Sequence, residues 1–259
     1  MMKILILAAG YGTRLYPLVK DIPKPLLIVS HQSIIDHLLE KIQVLKGVSE
    51  IIVVTNNKFY SNFKEWAEQK RSFTIPLRIL NDRTNSSEDR LGSVGDIHFA
   101  IENHPMNEDL LVMGGDNLFD FPLGEFITFA RGHSPHVSIG LFDIKDIKEA
   151  TNFGVVVLDE GGKVLAFEEK PKKPKSTLIA MCLYFFPLNS LGRVAKYLKK
   201  TKKSDKAGDY IRWLAQENTV YGFKFFGKWY DIGSIESYRE AQERFRNKFK
   251  MSKRLSSRD

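Results

Sequence analysis

Short aliphatic runs alternating with amphipathic helical stretches constrain this chain more than any other feature. Lys3 to Ala8 reads as a buried strand, because it is short, aliphatic and stopped by Gly10. Ser33 to Lys46 then reads as a helix. Its Ile34, Ile35, Leu38, Leu39, Ile42 and Leu45 recur at three-to-four spacing, with Ser33 to cap the start and Gly47 to close the end. Ile51 to Thr55 is a second strand and Lys58 to Lys70 a second helix, with Phe59, Phe63 and Trp66 on one face. Leu77 to Leu80 is a third strand. Such alternation implies an α/β fold of parallel βαβ units with right-handed crossovers. In sheets of that kind ligands lie beyond the carboxyl ends of the strands.

The first of those ends carries Gly10-Tyr11-Gly12-Thr13-Arg14, followed at a distance by Pro23-Lys24-Pro25. Glycines let the backbone take positive φ and let a ligand approach closely. Successive N–H groups in such a turn form an anion site. Arg14 adds a permanently charged fork, and Lys24 a point charge on a loop narrowed by prolines. These residues suit a triphosphate cradle, and equally a plain glycine turn. A dinucleotide fingerprint would place a third glycine where Leu15 stands, and no Walker A pattern is present.

Asn81 to Arg90 is a loop by composition, and Gly92 opens a third helix. Leu110 to Met113 is a fourth strand, ending in Gly114-Gly115-Asp116-Asn117. A carboxylate just past a buried strand suits a hard cation, although aspartates also end strands in ordinary turns. From about residue 123 the pattern turns mixed. Helices are expected at Leu123–Arg131, Leu188–Lys200, Asp209–Glu217 and Ser234–Phe249. Strands are expected at His136–Phe142, Phe153–Leu158, Lys163–Glu168, Leu178–Phe186 and Val220–Phe226. No repeat of solenoid length appears.

Composition excludes several classes. With 43% hydrophobic and 27% charged residues the chain is an ordinary globular sequence. Cys182 is the only cysteine, so no intrachain disulfide forms, which fits a reducing, cytoplasmic setting. Six histidines occur, none at metal-ligand spacing. No stretch has the length of a membrane span, and Ile4–Ala9 is too short for a signal peptide. The net charge of +8 admits nucleic acid, but a polyanionic small molecule plus a basic tail accounts for it equally. Arg244 to Arg258 contains no acidic residue.

The run Leu7-Ala8-Ala9-Gly10-Tyr11-Gly12-Thr13-Arg14-Leu15, then Pro17, then Pro23-Lys24-Pro25-Leu26-Leu27, resembles the N-terminal motif of sugar-1-phosphate nucleotidyltransferases. Glucose-1-phosphate thymidylyltransferase and its uridylyl, cytidylyl and guanylyl relatives belong to that family. Gly114-Gly115-Asp116-Asn117, Asn152-Phe153-Gly154-Val155, Glu169-Lys170-Pro171 and Trp229-Tyr230-Asp231-Ile232-Gly233 continue the resemblance in order. It covers Lys3 to about Arg244. It implies a Rossmann-like, GT-A-type fold with a central, mostly parallel mixed sheet flanked by helices. Residues 1–244 would form the nucleotidyltransferase domain, about 1–122 its nucleotide half and about 123–244 its sugar half. Residues 245–259 would be a basic tail.

The resemblance also implies roles. Ala8, Ala9, Gly10, Gly12 and Thr13 would wrap the triphosphate, and Asn81 and Gly92 would hold the base. Arg14 and Lys24 would be the catalytic cations, and Asp116 and Asp231 would bind Mg²⁺. Gly154, Glu169, Lys170 and Lys206 would take the sugar phosphate. The partners would be a nucleoside triphosphate, dTTP or UTP first, and a sugar 1-phosphate. A homo-oligomer is open, whereas a membrane or nucleic acid is not expected. Two departures bear on specificity. The thymidylyl pattern has a Gln soon after the third strand, where Asn81 and Asp82 stand here, and a Gly in the strand where this chain has Met181-Cys182-Leu183-Tyr184. Alternatives are a cytidylyl- or guanylyltransferase for another phosphorylated acceptor, and a non-catalytic nucleotide-sugar-binding regulator.

Overall fold

The computed structural model describes residues 1–201 and 206–256, with residues 246–256 as helical backbone alone. In chain order it builds β1 (Met2–Leu7), a short hairpin of β2 (Ile28–Val29) and β3 (Gln32–Ser33), α1 (Ile34–Ile42), β4 (Val48–Thr55), α2 (Tyr60–Glu68), β5 (Leu77–Asn81), α3 (Gly92–Asn103) and β6 (Asp109–Gly114). There follow β7 (Asn117–Phe119), α4 (Gly124–Gly132), β8 (Val137–Asp143), β9 (Gly154–Leu158), β10 (Val164–Glu169), β11 (Leu178–Phe186), α5 (Gly192–Lys200), α6 (Ala207–Glu217), β12 (Val220–Phe225), β13 (Trp229–Asp231) and α7 (Ile235–Ser256).

β1 is aliphatic without alternation, as a strand covered on both faces must be. It lies between β4 and β6 and runs parallel to both, and β5 extends the parallel set beside β4. Helix α1 forms as its spacing predicts. Ser33 Oγ accepts from the Asp36 N–H at 3.2 Å, and Ile34, Ile35, Leu38, Leu39 and Ile42 are buried. It stops at Ile42, short of Lys46, and Gly47 at φ +75° turns the chain toward β4.

The second half is mixed, as expected. β11 pairs antiparallel with β6, β8 and β9, and β12 lies parallel to β8. The β11–β8 register slips between Ala180 and Tyr184, and Cys182 inside the slip has φ +53°. Cys182 lies in the Met181–Tyr184 stretch where the resembled family places a glycine, and a left-handed backbone is one that glycine adopts most readily. One core cluster packs α1, α2 and α4 on one sheet face; a second packs α3, α5 and α6 on the other.

The sequence did not announce the pairing of β7 with β13. Asn117 faces Asp231 across this two-stranded ribbon. Asp231 therefore sits on a strand, and does not cap the last helix. Ser234 does that, its hydroxyl accepting from the Ser237 N–H at 3.2 Å. Helix α7 runs on past Phe249 to Ser256, so the expected tail begins within it. The tail's side chains from residue 246, and residues 202–205 between α5 and α6, lie outside the described residues. Among the described residues no helix is long and apolar enough to cross a membrane.

Candidate active site

The carboxyl ends of β1, β5 and β6 open into two adjoining cavities of about 430 and 410 Å³. Leu7, Gly10, Arg90 and Asp116 belong to the walls of both. The glycine loop is held from behind by its neighbours. Asn56 Nδ2 donates to the Ala9 carbonyl at 2.9 Å, and the Gly115 N–H donates to that of Leu7 at 2.9 Å. A Cβ on Gly115 would stand 2.8 Å from that same carbonyl oxygen, so only glycine brings the loop after β6 this close to β1. Gly12 takes φ +62° and starts the turn Thr13–Leu15. A Cβ on Gly10 would meet no atom within 4 Å; it would project into the space a ligand would fill.

The smaller cavity gathers Ala8, Gly10, Gly12, Thr13, Arg14 and Lys24. Lys24 starts a short 3-10 turn, Lys24–Leu26, and its Nζ lies 2.8 Å from Asp116 Oδ2. The Asp116 N–Cα–C segment is tied to the last strand as well, since its carbonyl accepts from the Ile232 N–H at 3.1 Å. Trp229 Nε1 donates to Asn117 Oδ1 at 2.6 Å and braces the ribbon. Asp116 and Asp231 thus share one cavity wall.

Their electrostatics oppose one another. Burial raises the Asp116 carboxyl, but the charge and hydrogen bond of Lys24 outweigh it and hold the group below its ordinary value. The side chain keeps 34% of its surface open, so it is a cleft-wall group and not a core one. Asp231 is pushed up to about 6, by burial first and the Asp116 charge second. Lys24 balances Asp116, and the burial and neighbouring charge that raise Asp231 leave the two carboxylates short of positive charge between them. Among the described residues no group of three or more His, Cys, Asp or Glu side chains could hold a metal. Two protein carboxylates plus phosphate oxygens and water is a donor set that Mg²⁺ accepts.

The larger cavity is lined by Gly92, Ser93 and Asp82 and also by Gly154, Glu169, Lys170 and Lys206. Gly92 has φ +75° at the start of α3. Burial raises the Glu169 carboxyl, with Lys170 and then Lys206 drawing it back. Gly154 and Gly208 leave room for it: a Cβ on either would press against Phe167 and a Glu169 carboxylate oxygen. Lys170 takes φ +47°, its N–H donating to the Phe153 carbonyl at 3.0 Å.

Every site residue expected from the sequence therefore lines one of the two cavities, with one exception. Asn81 lines neither; its amide donates to Asn57 Oδ1 at 2.9 Å and its oxygen accepts from the Arg83 N–H at 2.8 Å. Asp82 faces the cleft instead. The larger cavity also takes in Gly208, which nothing in the sequence signalled, and Cys182 and Trp229, which lie in stretches the sequence singled out without giving either residue a role.

The nucleotidyl transferase family profile matches residues 3–248. The chain belongs to that family. Its sugar-phosphate branch is the one its relatives populate. Mannose-1-phosphate guanylyltransferase catalytic subunit beta of Xenopus tropicalis is 30% identical over 239 residues, covering 92% of this chain and 62% of that protein. Glucose-1-phosphate adenylyltransferase of Fervidobacterium nodosum is 30% identical over 249 residues, covering 91% and 59%. Bifunctional protein GlmU of Methanocaldococcus jannaschii is 28% identical over 237 residues, covering 90% and 51%. The chain thus spans about half to three-fifths of the length of these relatives. In fold it is similar to a solved structure of UDP-glucose pyrophosphorylase with UDP-glucose, at TM-score 0.79 and 22% identity over 96% of this chain and 99% of that one. A Bacillus anthracis structure assigned as a glucose-1-phosphate thymidylyltransferase gives TM-score 0.82 and 23% identity, covering 95% and 96%. The Rossmann-like nucleotidyltransferase fold expected from the motifs is the fold observed.

Proposed function

We propose that this chain joins a nucleoside triphosphate to a sugar 1-phosphate, releasing pyrophosphate and a nucleotide sugar. The convergence of Lys24, Asp116 and Asp231 between a phosphate-type loop and the Glu169–Lys170 end carries this reading. An oxygen of the acceptor phosphate attacks the α-phosphorus in line. The new P–O bond forms as the bond to the bridging α–β oxygen breaks, and the electron pair leaves with pyrophosphate. The acceptor is already deprotonated near neutral pH, so no general base is needed. What the chain must do is position two anions and neutralise their charge.

Gly10, Gly12 and Thr13, with Ala8 and Ala9, wrap the triphosphate. Arg14 stabilises the departing β,γ-phosphates, and Lys24 bridges the reacting ones. Asp116 and Asp231 would hold Mg²⁺, which when bound would supply positive charge to the reacting phosphates. Gly92 holds the base through its backbone. Glu169 accepts from sugar hydroxyls, and Lys170 with Lys206 neutralises the sugar phosphate. The resemblance to thymidylyl enzymes makes dTTP or UTP the first nucleotides to test. GTP is the second reading, because a 30% identical relative is named for guanylyl transfer.

The test is a matrix of triphosphates against sugar 1-phosphates with magnesium, read by pyrophosphate release. One pair is expected to turn over well above the rest. Binding of a nucleotide sugar with no pyrophosphate release from any pair would instead indicate a non-catalytic regulator.

A further inference from the structure

The smaller cavity has a third cation, which the proposed reaction does not use. Arg90 stands near the end of the polar loop between β5 and α3, is exposed, and belongs to the walls of both cavities. Its Nη1 donates to the carbonyl of Ser87, which also lines the smaller cavity, at 3.2 Å. The loop itself is held at both ends. The hydroxyls of Tyr11, in the glycine loop, and of Thr84 share a buried hydrogen bond at 3.2 Å. The Asn57 N–H donates to the Thr84 carbonyl at 2.9 Å. Farther on, the Asp89 carboxylate accepts from the Ser86 N–H at 2.8 Å and the Asn85 N–H at 3.0 Å. A loop tied to the glycine loop at one end and folded on itself at the other keeps its last cation at the cavity.

The charge of that cavity points to a use. Its charged side chains are Arg14, Lys24 and Arg90 against Asp116. Lys24 lies 2.8 Å from Asp116 Oδ2, so these two offset each other. The surplus positive charge therefore comes from the two arginines. A triphosphate carries negative charge on every phosphate, and an arginine fork matches phosphate oxygens with parallel N–H donors. Arg14 belongs to the turn Thr13–Leu15 and lines the smaller cavity alone. Arg90 comes from a separate loop and lines the larger cavity as well. A ligand that runs from one cavity into the other passes it.

Resting on the reading of this cleft as a nucleotide site, we propose that Arg90 is a phosphate ligand, donating to the triphosphate where it passes between the two cavities. Its contribution is then the same whichever base the nucleotide carries.

Titration calorimetry of the full chain with inorganic tripolyphosphate, which has no base, and with UTP, dTTP and GTP tests this in magnesium buffer. Arg90→Gln removes the charge and keeps an amide donor for the Ser87 carbonyl. It should weaken tripolyphosphate and every nucleotide that binds by a similar factor, at least about tenfold. The loss should shrink as salt is raised from about 0.05 to about 0.5 M, as a charge contact does. Arg90→Lys keeps the charge without the fork and should lose less than Arg90→Gln. Arg90→Ala replaces Arg90→Gln if circular dichroism shows the latter unfolded. Four results overturn the proposal: wild-type protein binding a nucleotide but not tripolyphosphate, a variant without charge binding tripolyphosphate as wild type does, a loss confined to the nucleotides, or a loss that salt leaves unchanged. A pyrophosphate assay on the same samples separates the two readings. Tripolyphosphate binding that depends on Arg90, without turnover from any substrate pair, removes the proposed reaction and keeps Arg90. Turnover with Arg90 dispensable for binding does the reverse, and no binding of tripolyphosphate or nucleotide removes both.

Discussion

Lys24 Nζ donates to Asp116 Oδ2 at 2.8 Å, across 92 positions of sequence. The pair joins the glycine-loop half of the cleft to its carboxylate wall. Without ligand, Lys24 is the counter-charge of Asp116, and it keeps that carboxylate ionised while Asp231 beside it is driven toward the neutral form. On the proposed reading, a divalent cation and a polyphosphate would enter this balance together more readily than either alone, because each would relieve the charge the other brings.

On the proposed reading, removing the Asp116 carboxylate removes a ligand of the cation. Asp116→Asn is expected to lower magnesium-dependent pyrophosphate release at least about 100-fold, the usual effect of losing one electrostatic contact at a developing charge. The fold should persist, as read by circular dichroism. Near-normal turnover would remove Asp116 from the site.

Lys24→Ala makes a prediction of opposite sign for two measurements. Pyrophosphate release should drop by about 100-fold or more. Mn²⁺ binding without nucleotide, followed by calorimetry, should tighten, because a competing cation beside the two carboxylates is gone. Weaker Mn²⁺ binding would show that Lys24 shapes the site and does not merely neutralise it.

Gly208 tests the acceptor end. A methyl group there meets the Glu169 carboxylate and Phe167, so Gly208→Ala must displace Glu169. The KM for the sugar 1-phosphate should rise about tenfold, as for a lost hydrogen bond to a charged group, while the KM for the triphosphate stays within about twofold. An equal rise in both would place Glu169 outside acceptor binding.

A fourth prediction concerns stability, far from the cleft. Burial would raise the Glu50 carboxyl, but hydrogen bonds from Lys3, His104 and Arg78 outweigh it, and the group falls from 4.5 to about 2. Its distances are 2.7 Å to Lys3, 2.6 Å to His104 and 3.0 Å to Arg78. A carboxylate depressed on folding stabilises fully above its unfolded value and loses that contribution as pH falls through the folded one. Glu50→Gln should therefore unfold more easily in urea at pH 7, by about 2–3 kcal/mol. The gap to wild type should narrow between pH 4.5 and 2. A gap independent of pH would mean that packing, and not charge, is what the substitution disturbs.

Much of the architecture was legible in local pattern. The 3.6-residue spacing of Ile34, Ile35, Leu38, Leu39 and Ile42, and the aliphatic runs Ile4–Leu7, Ile51–Val54 and Leu110–Met113 within β1, β4 and β6, specify burial without reference to any partner. The glycine loop was legible for a similar reason. Its glycines and cations are adjacent in sequence, so their chemistry shows before the fold is known.

The chain alone thus determined the parallel half of the sheet, the loop at the end of β1 and the residue types available for a polyanion. Tertiary structure decided which of them meet. The ribbon of Asn117–Phe119 with Trp229–Asp231 is too short to leave a periodic signal, yet it sets Asp231 beside Asp116. Between the adjacent Asn81 and Asp82, one-residue register made the choice. Asn81 is the last rung of β5 against Thr55 and spends its amide on Asn57 and Arg83, so Asp82 faces the cleft. Periodicity reports burial along one element. Which side chains converge from different elements depends on register and long-range pairing, and these are settled by contacts between segments far apart in the chain.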